Sequence, residues 1–95
     1  MRDVQFSIRA EKDLGEIALA SKVFSPASSA LLEIRIQRAI AHIAAYPGAA
    51  PCLTTRPDIR MFSLVRYPFK IYYRARRSSV LILHIRHASR RPWKL

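Results

Sequence analysis

Residues 59–95 contain no aspartate or glutamate, although they hold ten of the 17 lysines and arginines; the six acids, Asp3, Glu11, Asp13, Glu16, Glu33 and Asp58, all precede them. Ten cations without a counter-charge cannot be paired within their own segment. They create a field that attracts nucleic acid, an acidic protein or an anionic surface. There is a single cysteine, Cys52, which excludes a disulfide framework and a thiolate zinc site and fits a reducing compartment. It reads as a small apolar packing residue. With two glycines in the whole chain there is no glycine-rich phosphate loop, and the sequence also lacks a His-Glu metal helix and a nucleophile elbow. Neither a cofactor nor a metal is expected. No apolar run is long enough to cross a bilayer, and the opening MRDVQFSIRAEKDL has no signal-peptide core, so the expectation is a cytoplasmic protein that does not engage a membrane.

The chain has 95 residues, half of them apolar, and a net charge of +11. That is room for one core, hence a single domain over residues 1–95. Residues 4–8 alternate apolar and polar side chains, the period of a half-buried strand. From Ala10 the period changes: Leu14, Ile17, Ser21 and Phe24 form a helical stripe, with Glu11 and Asp13 at the positive end of the helix. Ser25-Pro26 reads as an N-cap followed by proline at the first helical position. Leu32, Ile36, Ala39, Ile40 and Ile43 make the next stripe, stopped at Tyr46-Pro47-Gly48. Residues 47–58 carry three prolines and read as an irregular connection. Residues 59–65, 69–75 and 79–87 are rich in β-branched and aromatic residues and predict three consecutive antiparallel strands. The sequence thus predicts an α+β domain of order β-α-α-β-β-β, a helical hairpin packed on one face of a small, mostly antiparallel sheet.

In the middle strand of the three, Phe69, Ile71 and Tyr73 should face the core and Lys70, Tyr72 and Arg74 the other side. Arg60, Lys70, Arg74, Arg86, Arg90 and Arg91 are candidates to converge on a phosphate backbone or acidic partner, with Tyr72 and Trp93 available for stacking. The six acids are too few and too N-terminal to promise a catalytic pair beside that face. His84 and His87 lie three residues apart, on opposite faces of a regular strand, and make a poor metal pair. Either one beside Arg86 could move a proton in RNA cleavage; the plainer reading is a hydrogen-bonded histidine at a strand end. His42 reads as helix surface.

The runs YPFKIYYR and VLILHIRHASRRPW, together with Ala10, Asp13, Leu14 and Ile17 and with Tyr46-Pro47-Gly48, resemble the RelE/ParE toxin superfamily of type II toxin–antitoxin pairs. The closing His-Ala-Ser-Arg-Arg-Pro-Trp is more similar to the ParE, plasmid-stabilisation branch. The resemblance implies the same element order. It also implies a toxin that inhibits an essential target, DNA gyrase in the ParE branch, and that is neutralised by an acidic antitoxin. Contact with operator DNA would then be made only through that antitoxin. The RelE branch instead implies a ribosome-dependent endoribonuclease acting on mRNA. In that case Arg60, Lys70, Arg86 and Arg90 would hold the scissile phosphate and His84 or His87 would move the proton. A decayed toxin that only binds antitoxin is a third possibility. RelE lysines of the preceding strand have no counterpart near Met61 and Ser63, and Trp93 stands where a late tyrosine is found. A small sheet also leaves an unpaired edge, and a helical hairpin a groove, for a partner segment.

Overall fold

A computed structural model describes residues 2–88, with the side chains of residues 21–24 left out. The element order is β1 Asp3–Phe6, α1 Ile8–Phe24, α2 Pro26–Ala45, β2 Arg60–Ser63, β3 Phe69–Ala75 and β4 Ser79–His87. The four strands form one sheet in the order β1-β4-β3-β2. β1 runs parallel to β4, and the other two pairings are antiparallel. The predicted fold class is the one observed.

The core lies between the sheet and the hairpin. Leu32, Ile36, Ala39, Ile40, Ile43 and Ala44 from α2 meet Ile71, Tyr73, Val80, Ile82 and Ile85 of β3 and β4, and Ala10 joins them from α1. Burying such side chains contributes about 1.5–3 kcal/mol each, which makes this α2–sheet contact the main source of stability. Ser25 is extended and its hydroxyl accepts from Ser28 N–H, with Pro26 opening α2, as the sequence predicts. Tyr46 N–H donates to the His42 carbonyl at 2.8 Å before Pro47 ends the helix.

Several boundaries differ from the sequence pattern. α1 begins at Ile8 rather than Ala10 because Ser7 caps it: the Ser7 hydroxyl accepts from Ala10 N–H at 3.0 Å. β2 stops at Ser63, and Leu64 N–H donates to the Phe69 carbonyl at 3.0 Å, closing a turn in which Arg66 has φ of 72°. The segment 47–58 is not wholly irregular. Cys52 bridges Arg60, Leu53 N–H donates to Ile59 O, and Met61 N–H donates to Pro51 O. The expected free edge of β2 is therefore partly covered by the chain itself, and Cys52 is exposed rather than packed in the core.

In α1 the apolar stripe is only half-buried at Leu14 and Ile17, and Asp13 is buried. Ser21 and Phe24, predicted on the same stripe, fall among the side chains outside the described set. β4 lies inside the sheet, between β1 and β3; Val80 and Ile82 are buried, whereas Leu81 and Leu83 are half-buried, so the continuous apolar run 80–83 is fully covered on one face only. Among the described residues no helix is long and apolar enough to cross a membrane.

Candidate functional site

The site is built on the end of β4. β1 stops pairing after Phe6 and Ile82, and beyond that point α1 supplies the missing partners. Ser7 N–H donates to Ile82 O at 2.9 Å, the Ser7 hydroxyl donates to Leu83 O at 2.8 Å, and Asp13 accepts from Ile85 N–H at 3.0 Å. A helix thus satisfies a strand edge with side chains, which leaves no orphaned backbone donor there. Tyr72 pairs with His84 and Tyr73 with Ile82, so Leu83 is an extra residue and β4 bulges at it. Such a bulge bends the strand and re-aims the side chains that follow it.

Those side chains include His84. Its Nδ1 is hydrogen-bonded to the Asp13 carboxylate, and Arg9 Nε reaches the other oxygen of the same carboxylate at 3.3 Å. His84 is 4% exposed and Tyr72, stacked on it, 7%. Burial lowers the His84 pKa below its ordinary value, against the pull of the Asp13 carboxylate. With Nδ1–H donated to Asp13, neutral His84 is held in one tautomer, and it lines with Arg9, Asp13, Arg86 and His87 a cavity of about 480 Å³. The sequence reading expects no catalytic pair of acids beside the basic face; one acid nevertheless reaches the end of β4, because α1 folds back and brings Asp13 there. The expectation for Tyr72 is corrected, because a ring buried against His84 is not a surface for stacking.

Strand alternation puts Lys70, Tyr72 and Arg74 of β3, with His84 and Arg86 of β4, on the row opposite Ile71, Tyr73 and Ile85. Lys70 and Arg86 are direct cross-strand partners. Neither has an ion pair among the described residues, and both are half-buried. Arg74 belongs to the same row but is paired with Asp58 at 3.0 Å, and Arg56 holds the other side of that carboxylate. Hydrogen bonding to Arg56 keeps the Asp58 carboxyl below its usual pKa.

Arg60 does not join this group. It pairs with Tyr73, a core-facing position, and its guanidinium donates to the carbonyls of Ala50 at 2.6 Å and Gly48 at 3.2 Å. Tyr73 OH donates to Pro47 O at 2.7 Å. Arg60 and Tyr73 together fasten the loop after α2, and burial raises the Tyr73 pKa. His87 lies across from Phe69 with the rings edge to face, in the row of Ile71 and Ile85, and lines with Arg86 the cavity at the end of β4. Arg90, Arg91 and Trp93 lie outside the described residues. No group of three or more metal-ligating side chains occurs among the described residues. His42 is exposed and contacts the Tyr46 and Phe62 rings. Asp13 is the residue the sequence reading missed as a site component; its signal was an acid on the inward side of an amphipathic helix, where burial demands a partner.

Residues 4–92 match the model of the ParE toxin of type II toxin–antitoxin systems. The chain belongs to this family. Its fold is similar to that of a chain in the chromosomal ParDE system of P. aeruginosa, at 21% identity and TM-score 0.80, over 94% of this chain and 98% of that one. It is also similar to a chain of the intact E. coli RelBE toxin–antitoxin complex, at 16% identity and TM-score 0.66, over 95% of this chain and 100% of that one. The isolated E. coli RelE toxin gives 16% identity and TM-score 0.66, over 97% and 89%. No curated protein matches the sequence. The bulged β4, the buried Asp13–His84 cluster and the Lys70–Arg86 pair are thus features of a ParE-family toxin domain.

Proposed function

We propose that this toxin acts by binding, not by cutting: its basic sheet face holds an essential macromolecular target, DNA gyrase first among candidates, and an acidic antitoxin neutralises it. The observation that carries the reading is the Lys70–Arg86 pair. Like charges directly across a strand pair destabilise the sheet, and no acid among the described residues relieves this one. An anionic partner would. Arg74 is available to such a partner by exchanging Asp58, an exposed ligand, for a stronger one; Arg90, Arg91 and Trp93, outside the described residues, are proposed to bind the same partner. The reading also draws on what the face lacks. A proton-transfer group for RNA cleavage has to be free to exchange its proton with substrate, whereas the His84 ring is bonded to Asp13 and stacked on Tyr72, although His84 and His87 both line a cavity of about 480 Å³ with Arg86.

The test is a supercoiling assay with purified gyrase and full-length toxin. Inhibition is expected, with Lys70→Glu/Arg86→Glu weakening it at least about tenfold, or ~1.4 kcal/mol of binding. Full gyrase activity at saturating toxin would overturn the gyrase assignment. Codon-linked cleavage of translated messages, read by primer extension after induction, would overturn the binding mechanism.

A further inference from the structure

Beside the Lys70–Arg86 pair the molecule keeps an apolar cavity open. It lies between α1 and the end of β4, measures about 480 Å³, and has an apolar wall made by Ile17 and Ala20 of α1, Leu32 of α2, Phe69 of β3 and Ile85 of β4. That is room for one large apolar side chain. Ile17 and Phe69 pack against the core yet are only half-buried, and Ala20 is exposed, so part of this wall stays uncovered by the chain itself. The polar lining carries both signs. Arg9 and Arg86 stand with Asp13 and Glu16; Asp13 is taken by His84, Arg9 and the Ile85 N–H, and Glu16 lies 3.9 Å from Lys12. Arg86 has no ion pair among the described residues and faces Lys70 across the β3–β4 ladder. His84 and Arg86 thus belong both to the cavity and to the basic row, which places an apolar socket next to the two cations that most need an anion.

We propose that this cavity is the socket for an aliphatic side chain of the toxin's protein target, presented next to a carboxylate that engages Lys70 and Arg86. The inference rests on the binding mechanism proposed above and names what the target must offer, a short acidic and aliphatic epitope. Charge separates this occupant from nucleic acid. A phosphodiester is drawn to Lys70 and Arg86, but carrying its backbone into the cavity would bring it against Asp13 and Glu16, and like charges repel more strongly where water is thinned out. An aliphatic side chain brings no charge inside. It covers Ile17, Ala20, Leu32 and Ile85 and leaves the charged groups at the rim, the arrangement of a buried anchor ringed by polar groups that dominates protein interfaces. The wall is mainly aliphatic, whereas a flat base gains most from stacking on aromatic rings. The neighbouring carboxylate relieves the opposition of Lys70 and Arg86, so one epitope answers both the apolar and the cationic demand.

The experiment uses the full-length, isotopically labelled toxin, titrated with the blocked peptide acetyl-Asp-Leu-Asp-amide and followed by heteronuclear NMR. The amide signals of Ile17, Phe69, Ile85 and His87 should move, and acetyl-Asp-Ser-Asp-amide should bind at least about tenfold more weakly. Ala20→Trp fills the socket from an exposed position and should weaken the Leu peptide at least about tenfold. Ala18→Trp, equal bulk on α1 outside the cavity lining, should leave it within about twofold. Circular dichroism checks folding, and Ile17→Ser, which removes wall surface without adding bulk, serves should Ala20→Trp fail to fold. A second arm measures association with immobilised gyrase by surface plasmon resonance across a salt series. There the loss in Ala20→Trp should persist at high salt, whereas the loss in Lys70→Glu/Arg86→Glu should shrink. Equal affinity for the Leu and Ser peptides, cavity signals that stay still, or wild-type affinity in the folded socket variants would each overturn the proposal. So would a DNA duplex that displaces the Leu peptide and is itself weakened by Ala20→Trp, because the socket would then take a base. The peptide titration contains no gyrase, so it decides the socket even if the wild-type toxin leaves gyrase untouched. Equal binding of gyrase by wild type and folded Ala20→Trp would overturn the socket and leave the gyrase reading standing.

Discussion

Asp13 and Asp58 each join a basic neighbour in sequence to a basic partner from farther along the chain, and the two clusters do different jobs. Asp13 takes Arg9, His84 and the Ile85 backbone N–H where α1 replaces β1 along the edge of β4, with the carboxylate and the imidazole largely buried and Arg9 reaching in from the exposed surface. Asp58 takes Arg56 and Arg74 on the surface, at the side of the basic row. Coulomb attraction is weak in water and strong when desolvated, but an unpaired charge is costly only where water cannot replace the missing partner. The first cluster therefore holds the fold. The second is an exchangeable screen over Arg74, which an anionic partner displaces at small cost.

Removing Asp13 gives the largest expected effect. Asp13→Ala leaves His84 Nδ1–H and Ile85 N–H without their acceptor, and each buried donor stranded in this way costs about 1–3 kcal/mol. Small domains hold only ~5–15 kcal/mol in total. Equilibrium urea unfolding should show a domain close to collapse, and a loss below about 1 kcal/mol would erase the distinction between the clusters. Next comes the coupling. A double-mutant cycle of Asp13→Asn with His84→Gln should give an interaction energy of about 1–3 kcal/mol, while additivity would show that the two side chains hold the fold independently.

Acid is the third probe. Burial places the folded-state pKa of His84 below its unfolded value of about 6.5, so the unfolded chain takes up the proton more readily. The stabilisation associated with neutral His84 is then fully present above about pH 6.5 and is lost as pH falls through the folded value. Urea midpoints measured between about pH 7 and pH 5 should fall for the wild type and flatten for His84→Gln. A wild-type midpoint that rises on acidification would mean that the Asp13 carboxylate outweighs burial. The smallest effect belongs to Asp58→Asn: no resolvable shift in the urea midpoint, but tighter association of the toxin with an anionic target as Arg74 is released, read as a lower Kd at low salt that converges with wild type at high salt.

Much of the fold was legible because it follows from local rules. The Ser25-Pro26 cap, the α2 stripe from Leu32 to Ile43 and the alternation of β3 each follow from one element's own periodicity, and the structure agrees with them. The site was less legible. Arg60 looked like a phosphate ligand because it is a strand-borne arginine; instead it is consumed by the carbonyls of Gly48 and Ala50, a contact set by where the loop after α2 comes to rest. Tyr72 alternates to the basic row as expected, yet it is covered by His84, since the bulge at Leu83 shifts the register of the strand beside it. An extra residue in a ladder leaves no trace in a two-residue pattern of apolar side chains.

By itself the sequence determined the element order, the core stripes and the concentration of unbalanced positive charge after residue 58, because periodicity and composition are properties of neighbours along the chain. Tertiary structure alone decided which charges meet. Asp13 and His84 are separated by most of the chain and become partners only because α1 crosses the open edge of β4. Lys70 and Arg86 become an opposed, unscreened pair only through the β3–β4 register. Electrostatic free energy depends on distance and on the exclusion of water, and neither is set until the chain has folded.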